Sequence, residues 1–501
     1  MPGVAQPSIA LPAIADASPA PDMKSSNKHP PHTVWAASMA GILDSTELIT
    51  GPSFEIELPA LDALFPPHYG RRLLIFQCTS EAQRQDQLTS LRAGLKNLVQ
   101  KCPFLGGTII PHPLDPAVHD ELGKCTLEPG DGLELVVKDL RSHLPSFDEL
   151  KANNFQPASL PYAALVPVPH DLRCDYPYVA CKAQYTLLEG GTVLTWAISH
   201  NVTDGSANNE MFRMLSEDVR LSQHKGAANG IIEVQDTSDQ KPLALDRSVL
   251  RNVTSDKPFN IKEHPGYGRM PKQADAEVIH APTTTPVCIQ IPASKLETLK
   301  ADATPSKRKQ ISTHDALAGL MWRSSLLLRS HRAAPSFHLP HSTTSTLFFP
   351  SDGRRHIGLQ PNYIGNVIYQ MAVRSNLEAL LSASGLKHAT GAIRDAITAA
   401  TPELVKSYLA EVNKRWIDWA YMTADLGTLD WATGTNWTSG CIYGYDWGEA
   451  FGPLVRFRYP GEPGLNGIMP KLPDGSAEVI ISVVPDEVEA LQSDDFFGKY
   501  V

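Results

Sequence analysis

A histidine followed four residues later by an aspartate and then a glycine is the arrangement in this chain best suited to chemistry. His200, Asp204 and Gly205 follow a run of β-branched and apolar residues at 192–199, which predicts a buried strand. The residues after Gly205 have apolar positions at helical spacing, which predicts a helix. A histidine between such a strand and helix is held by packing while one side faces a substrate. That placement suits a general base.

Asp204 has two possible roles in this arrangement. It could relay a proton directly, or it could hold the turn rigid by pairing with an arginine from elsewhere in the chain. The spacing of His200 and Asp204 alone is a weak signal, because the chain contains 17 His and 34 Gly and chance can produce the pattern. The interpretation therefore depends on the other motifs in the sequence.

Composition excludes several classes of protein. The length of 501 residues favours two domains. A net charge of −10 argues against general nucleic-acid binding. Seven scattered cysteines without a CxxC pair argue against a disulfide framework or a zinc site, and they favour a reducing, cytoplasmic compartment. The apolar runs are too short to span a membrane. We therefore expect no metal, no nucleic acid and no membrane association.

The order of segments predicts an α/β protein built from two halves. Residues 1–31 are rich in Pro, Ala and Ser and are interpreted as a flexible N-terminal extension rather than a secretory signal. Residues 32–221 form the first half, which carries the histidine motif. Residues 222–282 are polar and aperiodic, which indicates a crossover linker. Residues 283–501 form the second half, where Ser294 and Ser312 are each predicted to begin a capping box.

Four stretches together resemble the BAHD acyltransferase superfamily, in particular its fungal branch near trichothecene O-acetyltransferases. The stretches are His200–Gly205 (HxxxDG), 311–317 (ISTHDAL), 352–354 with 363–366 (DGR with YIGN), and 445–452 (YDWGEAFG). They occur in the order of the family, and residues 91–107 add a looser match. One departure is Glu449, which stands where plant members have a tryptophan.

The resemblance implies a fold and an activity. It implies two chloramphenicol-acetyltransferase-like lobes of mixed sheets with helices, joined by a long crossover, with an active-site channel between them. It also implies a monomeric acyl-CoA-dependent O-acyltransferase acting on a hydroxyl of a fungal secondary metabolite. The co-substrate is acetyl-CoA or another acyl-CoA, and the partner is a small-molecule alcohol acceptor.

The resemblance also implies roles for individual residues. His200 is the general base, which takes the acceptor proton for direct transfer without a covalent intermediate. Asp204 forms a structural ion pair with Arg354, although Arg355 is an alternative partner for the same position. Gly205 belongs to the same motif.

Two further groups of residues are assigned roles. Asp446, Trp447 and Gly448 are expected to be structural, with Asp446 sharing Arg354 and the glycine letting the backbone pass close to the channel. A basic run followed by a helix start could bind the phosphates of CoA, although most such runs are solvated loop charges. This group comprises Lys307, Arg308, Lys309 and Ser312. His314 lies in the first turn of that helix and is assigned no catalysis.

Three alternatives are weighed against this interpretation. A condensation domain using another acyl donor shares HxxxDG but usually has a second histidine just before it, where this chain has Ser199. A serine hydrolase is disfavoured because the sequence has no G-x-S-x-G motif. A catalytically inactive small-molecule binding homologue is disfavoured by the intact His200, Asp204 and Arg354.

Overall fold

The computed structural model of the chain is a mixture of β-sheets and α-helices, as the sequence predicts. It describes residues 44–63, 65, 67–111, 125–169, 174–224, 245–267, 283–308, 310–332, 343–415, 431–432, 435–437, 440–461, 464, 466–493 and 495–501. The predicted extension 1–31 lies outside these residues.

The strands of the described residues form four sheets. They are β1 (Asp44–Ile49), β2 (Tyr69–Gln77), β3 (Thr108–Pro111), β4 (Cys125–Glu128), β5 (Leu133–Asp139), β6 (Tyr178–Val179), β7 (Cys181–Leu188), β8 (Gly191–Ser199), β9 (Thr285–Ile291), β10 (Thr344–Asp352), β11 (Ile368–Asn376), β12 (Trp431–Ala432), β13 (Thr435–Asn436), β14 (Arg456–Arg458), β15 (Gly467–Ile468) and β16 (Ala477–Val483).

The α-helices of the same residues range from one turn to about six. They are α1 (Ala60–Ala63), α2 (Glu81–Lys101), α3 (Phe147–Ala152), α4 (Tyr162–Leu165), α5 (Gly205–His224), α6 (Ser248–Arg251), α7 (Ala293–Ala303), α8 (Thr313–Arg332), α9 (Arg354–Ile357), α10 (Leu377–Leu381), α11 (Gly385–Ala399), α12 (Pro402–Arg415) and α13 (Gly448–Phe451). Within the ranges given above, none of them has both the length and the apolar character that a membrane span requires.

A six-stranded sheet carries the histidine motif. Its strand order is β1-β5-β7-β8-β2-β14, and β5 and β7 are its parallel pair. β8 is buried along its whole length, which explains why its sequence does not alternate between apolar and charged residues. α2 and α5 pack together in the same hydrophobic cluster. Gly94 allows their close approach, because a Cβ there would lie 2.6 Å from Val219.

The C-terminal part of the chain completes this first sheet. β14 pairs with β2 so that Phe457 lies opposite Leu74. Trp447 and Phe451 belong to the same hydrophobic cluster, and both rings stand edge-on to Phe76. Residues that the sequence division assigned to 283–501 therefore share a core with the N-terminal half.

A second hydrophobic cluster surrounds α8. It contains Trp322 of this helix together with Leu347 of β10 and Ile481 of β16. These strands belong to a sheet of order β11-β10-β12 and another of order β13-β15-β16-β9. α8 starts as predicted, since the Ser312 hydroxyl accepts from the Asp315 amide and the Asp315 carboxylate accepts from the Ser312 amide.

The capping box predicted at Ser294 was wrong, because α7 begins two residues earlier than that box requires, with Pro292 at its N-cap position. Of the predicted linker 222–282, the structure describes residues 222–224 and 245–267. Arg247, in the second of these segments, is buried and donates to the carbonyl of Val202 at 2.9 Å, so the linker reaches the loop that carries the histidine.

Candidate active site

His200 is positioned by the pairing of β8 with β2. The two strands are antiparallel, with Ser199 opposite Tyr69. Their pairing continues one residue further, since the His200 amide donates to the carbonyl of His68 at 2.9 Å. The backbone of His200 is thus held by the sheet, while its side chain is partly buried and lines a cavity.

Asn366 fixes the tautomer of His200. Its side-chain nitrogen donates to Asp62 Oδ1 at 2.6 Å and to the carbonyl oxygen of His200 at 2.7 Å. Because both partners are acceptors, the amide orientation is determined and its oxygen faces His200 Nδ1 at 3.2 Å. Nδ1 must therefore carry the hydrogen, which leaves the lone pair on Nε2 to accept a substrate proton.

The buried ion pair between Asp62 and Arg247 holds the Asn366 side chain in position. Asp62 is fully buried, forms an ion pair with Arg247 and also accepts from the Asn366 backbone amide at 2.9 Å. Arg247 donates in addition to the carbonyl of Val202, within the motif loop. The residues that orient His200 therefore come from three distant parts of the chain, brought together by the fold.

Asp204 is directed away from the imidazole into the protein. Arg354 binds it through two parallel hydrogen bonds of 2.8 and 2.9 Å, and both side chains are buried. Asp204 also accepts from the amides of Ala207 and Val367, each at 2.9 Å. The first of these contacts caps α5, and the second joins the motif loop to the C-terminal half. Arg355, the alternative partner, is exposed.

The surroundings of His200 favour its neutral form. Phe65 stacks on the imidazole with ring centroids 4.1 Å apart, and the His68 ring lies 4.9 Å away. Burial, followed by the positive charges of His68 and Arg72, lowers the pKa of His200 well below its usual value. The side chain is therefore unprotonated, and able to accept a proton, at neutral pH.

The cavity at His200 has a volume of about 650 Å³ and is lined by residues of both halves of the chain. His200 and Gly205 contribute from the N-terminal half, and Ser312, His314 and Asp352 from the C-terminal half. The volume is in the range of a small-molecule site. The arrangement can bring two substrates together beside a neutral histidine.

The Asp-Trp-Gly element at residues 446–448 is not among the residues that line the cavity. Asp446 is exposed and lies 3.7 Å from Arg220, so the expectation that it shares Arg354 was wrong. Trp447 is fully buried in the first core. Gly448 has φ +75° and lies against the side chain of Gln223, whose amide bonds the backbone of Trp447. The glycine permits this helix contact rather than an approach to the cavity.

The residues proposed for CoA are not all in one place. Ser312 lines the cavity, where its hydroxyl also accepts from Arg394. Lys307 is exposed and Arg308 is paired with Asp395, and neither is among the cavity residues. Lys309 lies outside the described residues. Ser312 is therefore the member of this group with a direct position at the site.

Sequence reasoning did not assign a role to Asn366 or to Asp62. Asn366 is the last residue of the YIGN stretch at 363–366, which the sequence analysis identified. Nothing in that stretch, however, indicates that the Asn366 side chain faces His200. Asp62 and Arg247 lie in segments without a motif. Their contact with the site arises from tertiary packing between residues far apart in sequence.

We expect Asn366→Ala to lower kcat by about 10- to 100-fold, because a buried hydrogen-bond partner is lost and the imidazole is free to change tautomer or rotate. Steady-state kinetics of acyl transfer would measure the change. Asn362→Ala, at another asparagine of the cavity wall, is the matched control and should change kcat little. An Asn366→Ala variant as active as the wild type would contradict this role.

The chain is similar in sequence to known fungal proteins. Enoyl-CoA isomerase/hydratase claC of Penicillium crustosum is 26% identical over 471 residues, covering 90% of this chain and 51% of that protein. The chain thus spans about half the length of this relative. Eremophilane O-acetyltransferase prx11 of Penicillium rubens is 25% identical over 476 residues, covering 88% of this chain and 97% of that protein.

The fold is shared with a solved structure, that of F. graminearum TRI101 complexed with coenzyme A and T-2 mycotoxin. The TM-score is 0.74 at 20% identity, covering 89% of this chain and 99% of that one. A model of the transferase family matches residues 45–494, which is most of the chain. The chain therefore belongs to the transferase family, the BAHD acyltransferases that its motifs resemble.

Proposed function

We propose that this protein is an acyl-CoA-dependent O-acyltransferase that transfers an acyl group, with acetyl as the expected one, to a hydroxyl of a fungal secondary metabolite. The observation that carries the proposal is a neutral His200 in a cavity lined by both halves of the chain, with Asn366 holding its Nδ1 hydrogen. The O-acetyltransferase among the relatives and the coenzyme A in the TRI101 complex support the same chemistry.

His200 performs the proton transfers of the reaction. Its Nε2 takes the proton of the acceptor hydroxyl as the oxygen attacks the thioester carbonyl, and general-base catalysis of this kind contributes roughly 10²–10⁴-fold. The carbonyl then reforms, the C–S bond breaks, and the imidazolium returns the proton to the leaving thiolate. No covalent bond to the protein is needed, because His200 acts first as base and then as acid.

Other residues keep this base in place. Asp204 and Arg354 hold the loop rather than relay protons, since all four of the hydrogen bonds to Asp204 described above come from groups other than His200. A cavity of about 650 Å³ is large enough for an acetyl group, the end of a pantetheine arm and part of an acceptor. Ser312 at the cavity wall, with Lys307–Lys309 nearby in sequence, is proposed to contact CoA.

The experiment that tests the function is a thiol-release assay. The protein is incubated with acetyl-CoA and a panel of terpenoid and phenolic alcohols, and free CoA thiol is measured with and without each alcohol. The proposal predicts release that depends on an alcohol, with an acetylated alcohol detected by mass spectrometry. An absence of acceptor-dependent release across the panel, with acetyl-, propionyl- and malonyl-CoA as donors, would count against it.

The pH dependence follows from the lowered pKa of His200. Only the neutral imidazole acts as base, so activity falls as pH decreases through that pKa, which lies below the usual value of about 6.5. We therefore expect kcat/KM to be nearly constant from about pH 8 down to 6.5 and to decline only in more acidic buffer. A profile of kcat/KM against pH checks this, and a half-maximal value at or above 6.5 would contradict it.

A further inference from the structure

Arg72 is a buried cation in the wall of the cavity. The residue is 4% exposed and lines the same cavity as His200. Among the residues that the structure describes, its Nε and Nη1 atoms have no hydrogen-bond partner. Burial lowers the pKa of its guanidinium, which shows that the charge is in an unfavourable environment as it stands.

Three other buried arginines among the described residues are paired with carboxylates. Arg247 is paired with Asp62, Arg354 with Asp204, and Arg458 with Glu478. Over the described ranges, no carboxylate lies within ion-pair distance of Arg72. Asp204 attracts it at longer range, but that carboxylate is already bound bidentately by Arg354. A buried cation without a carboxylate partner is costly, so its position in the cavity wall calls for a reason.

The guanidinium is nevertheless held in a defined position. It lies over the indole of Trp437, 5.4 Å from the ring centroid, and it forms a hydrogen bond with Tyr459. The Tyr459 hydroxyl in turn accepts from the Trp437 indole nitrogen at 2.7 Å. Both aromatic residues also line the cavity. The charge is therefore preorganised before any substrate binds.

Gly70 directs the guanidinium toward His200. It precedes Arg72 by two residues on the same face of β2, and a Cβ at Gly70 would clash with Arg72 Nη1. The side chain thus lies back along the strand, toward the end where Ser199 pairs with Tyr69 and His200 follows. The glycine provides the space that lets the cation share the cavity with the base.

A cation beside a general base disfavours the protonated form of that base. This effect is offset if a negative charge forms nearby during the reaction. Such a charge forms next to His200 in the chemistry proposed above, because attack on the thioester places it on the carbonyl oxygen. We propose that Arg72 stabilises this oxyanion, an inference that rests on the proposed function. The neutral carbonyl of the bound substrate gains less from the cation than the oxyanion does, so the interaction is strongest in the transition state.

The electron balance of the step is straightforward. The acceptor oxygen forms a bond to the carbonyl carbon while its proton passes to His200 Nε2. The π electrons of the carbonyl move to its oxygen, where Arg72 faces them. They return as the C–S bond breaks, and the imidazolium proton passes to the sulfur. Arg72 gains and loses no proton in this sequence.

The test compares Arg72→Met with the wild type, using acetyl-CoA and an alcohol that the wild type acetylates. We expect kcat to fall about 10²–10³-fold, the effect typical of removing an oxyanion donor, with much smaller changes in either KM. The melting temperature should be unchanged or higher, because a buried uncompensated charge is removed. Arg72→Lys, which keeps the charge, should recover part of the lost kcat.

Arg71→Met is the matched control on the opposite face of β2. Arg71 is also buried, but it contacts the carbonyl of Pro169 and the ring of Tyr162 and is not among the cavity residues. This variant should lose stability while the folded protein keeps its kcat. In Arg72→Met, the acidic limb of the kcat/KM profile should shift to higher pH, because a charge that lowers the pKa of His200 is removed.

The possible outcomes separate this inference from the proposed function. An active wild type with an equally active Arg72→Met variant overturns the inference alone. The oxyanion role is also overturned if Arg72→Met only raises KM, and only for acceptors that bear a carboxylate, since Arg72 would then bind the acceptor. A lower melting temperature with normal kcat in Arg72→Met would indicate a structural role for Arg72 and would overturn the oxyanion role as well. A wild type that acetylates no alcohol overturns the proposed function itself, and the oxyanion role falls with it.

Discussion

His200→Ala is expected to reduce kcat by roughly 10²–10⁴-fold while leaving the fold intact. The variant removes the only imidazole that Asn366 orients toward the cavity among the described residues, and an alcohol is too weak an acid to attack a thioester at neutral pH without a base. The side chain is not part of the hydrophobic clusters that hold the sheet. Steady-state kinetics with acetyl-CoA, together with a thermal melt, measure both parts of this expectation.

His314→Ala is the matched control for that variant. His314 lines the same cavity, and its Nδ1 lies 3.6 Å from Asp315, so it resembles a catalytic dyad in isolation. Asp315, however, caps α8 and is bound by Arg394. We expect kcat to change much less in His314→Ala than in His200→Ala. A larger loss of kcat in His314→Ala than in His200→Ala would mean that His314, and not His200, is the base.

Arg354→Met is expected to destabilise the protein by about 3–5 kcal/mol, because it leaves the buried Asp204 carboxylate without its cation. Asp204→Asn should also be destabilising, since the charge-assisted pair is lost and the amide cannot accept all the hydrogen bonds that the carboxylate accepts. Activity should fall together with stability in both variants. Denaturant unfolding monitored by tryptophan fluorescence provides the free energies.

A double variant separates the pair from its surroundings. Combining Asp204→Asn with Arg354→Met should cost less than the sum of the two single changes, because no unpaired charge remains. If Asp204→Asn instead lost activity at unchanged stability, Asp204 would be a proton relay and the structural role would be wrong.

Part of the site could be predicted because its signals are local in sequence. The strand before His200 and the helix after Gly205 follow from apolar patterning, and the Ser312 cap follows from residue spacing. The pair of Asp204 and Arg354 required the family resemblance, and sequence alone did not exclude Arg355. The structure distinguishes the two arginines, because Arg354 is buried and Arg355 is exposed.

Other parts of the site depend on tertiary packing and have no local signal. Asp62, Arg72 and Arg247 are polar residues in unremarkable segments, and their burial becomes apparent only when the strands and the linker are assembled. Asp446 was assigned to the wrong arginine for the same reason. A short loop rich in glycine indicates that the backbone turns, but it does not indicate which distant cation lies beside it.

In the proposed function, His200 moves the acceptor proton during direct transfer from acyl-CoA to an alcohol. The most direct measurement is mass spectrometry of protein and products after incubation with isotopically labelled acetyl-CoA, with and without the alcohol. We expect label on the alcohol and none on the wild-type protein, and roughly 10²–10⁴-fold slower formation of labelled alcohol with His200→Ala. Labelled alcohol formed equally well by His200→Ala, or label held covalently by the wild-type protein, would contradict it.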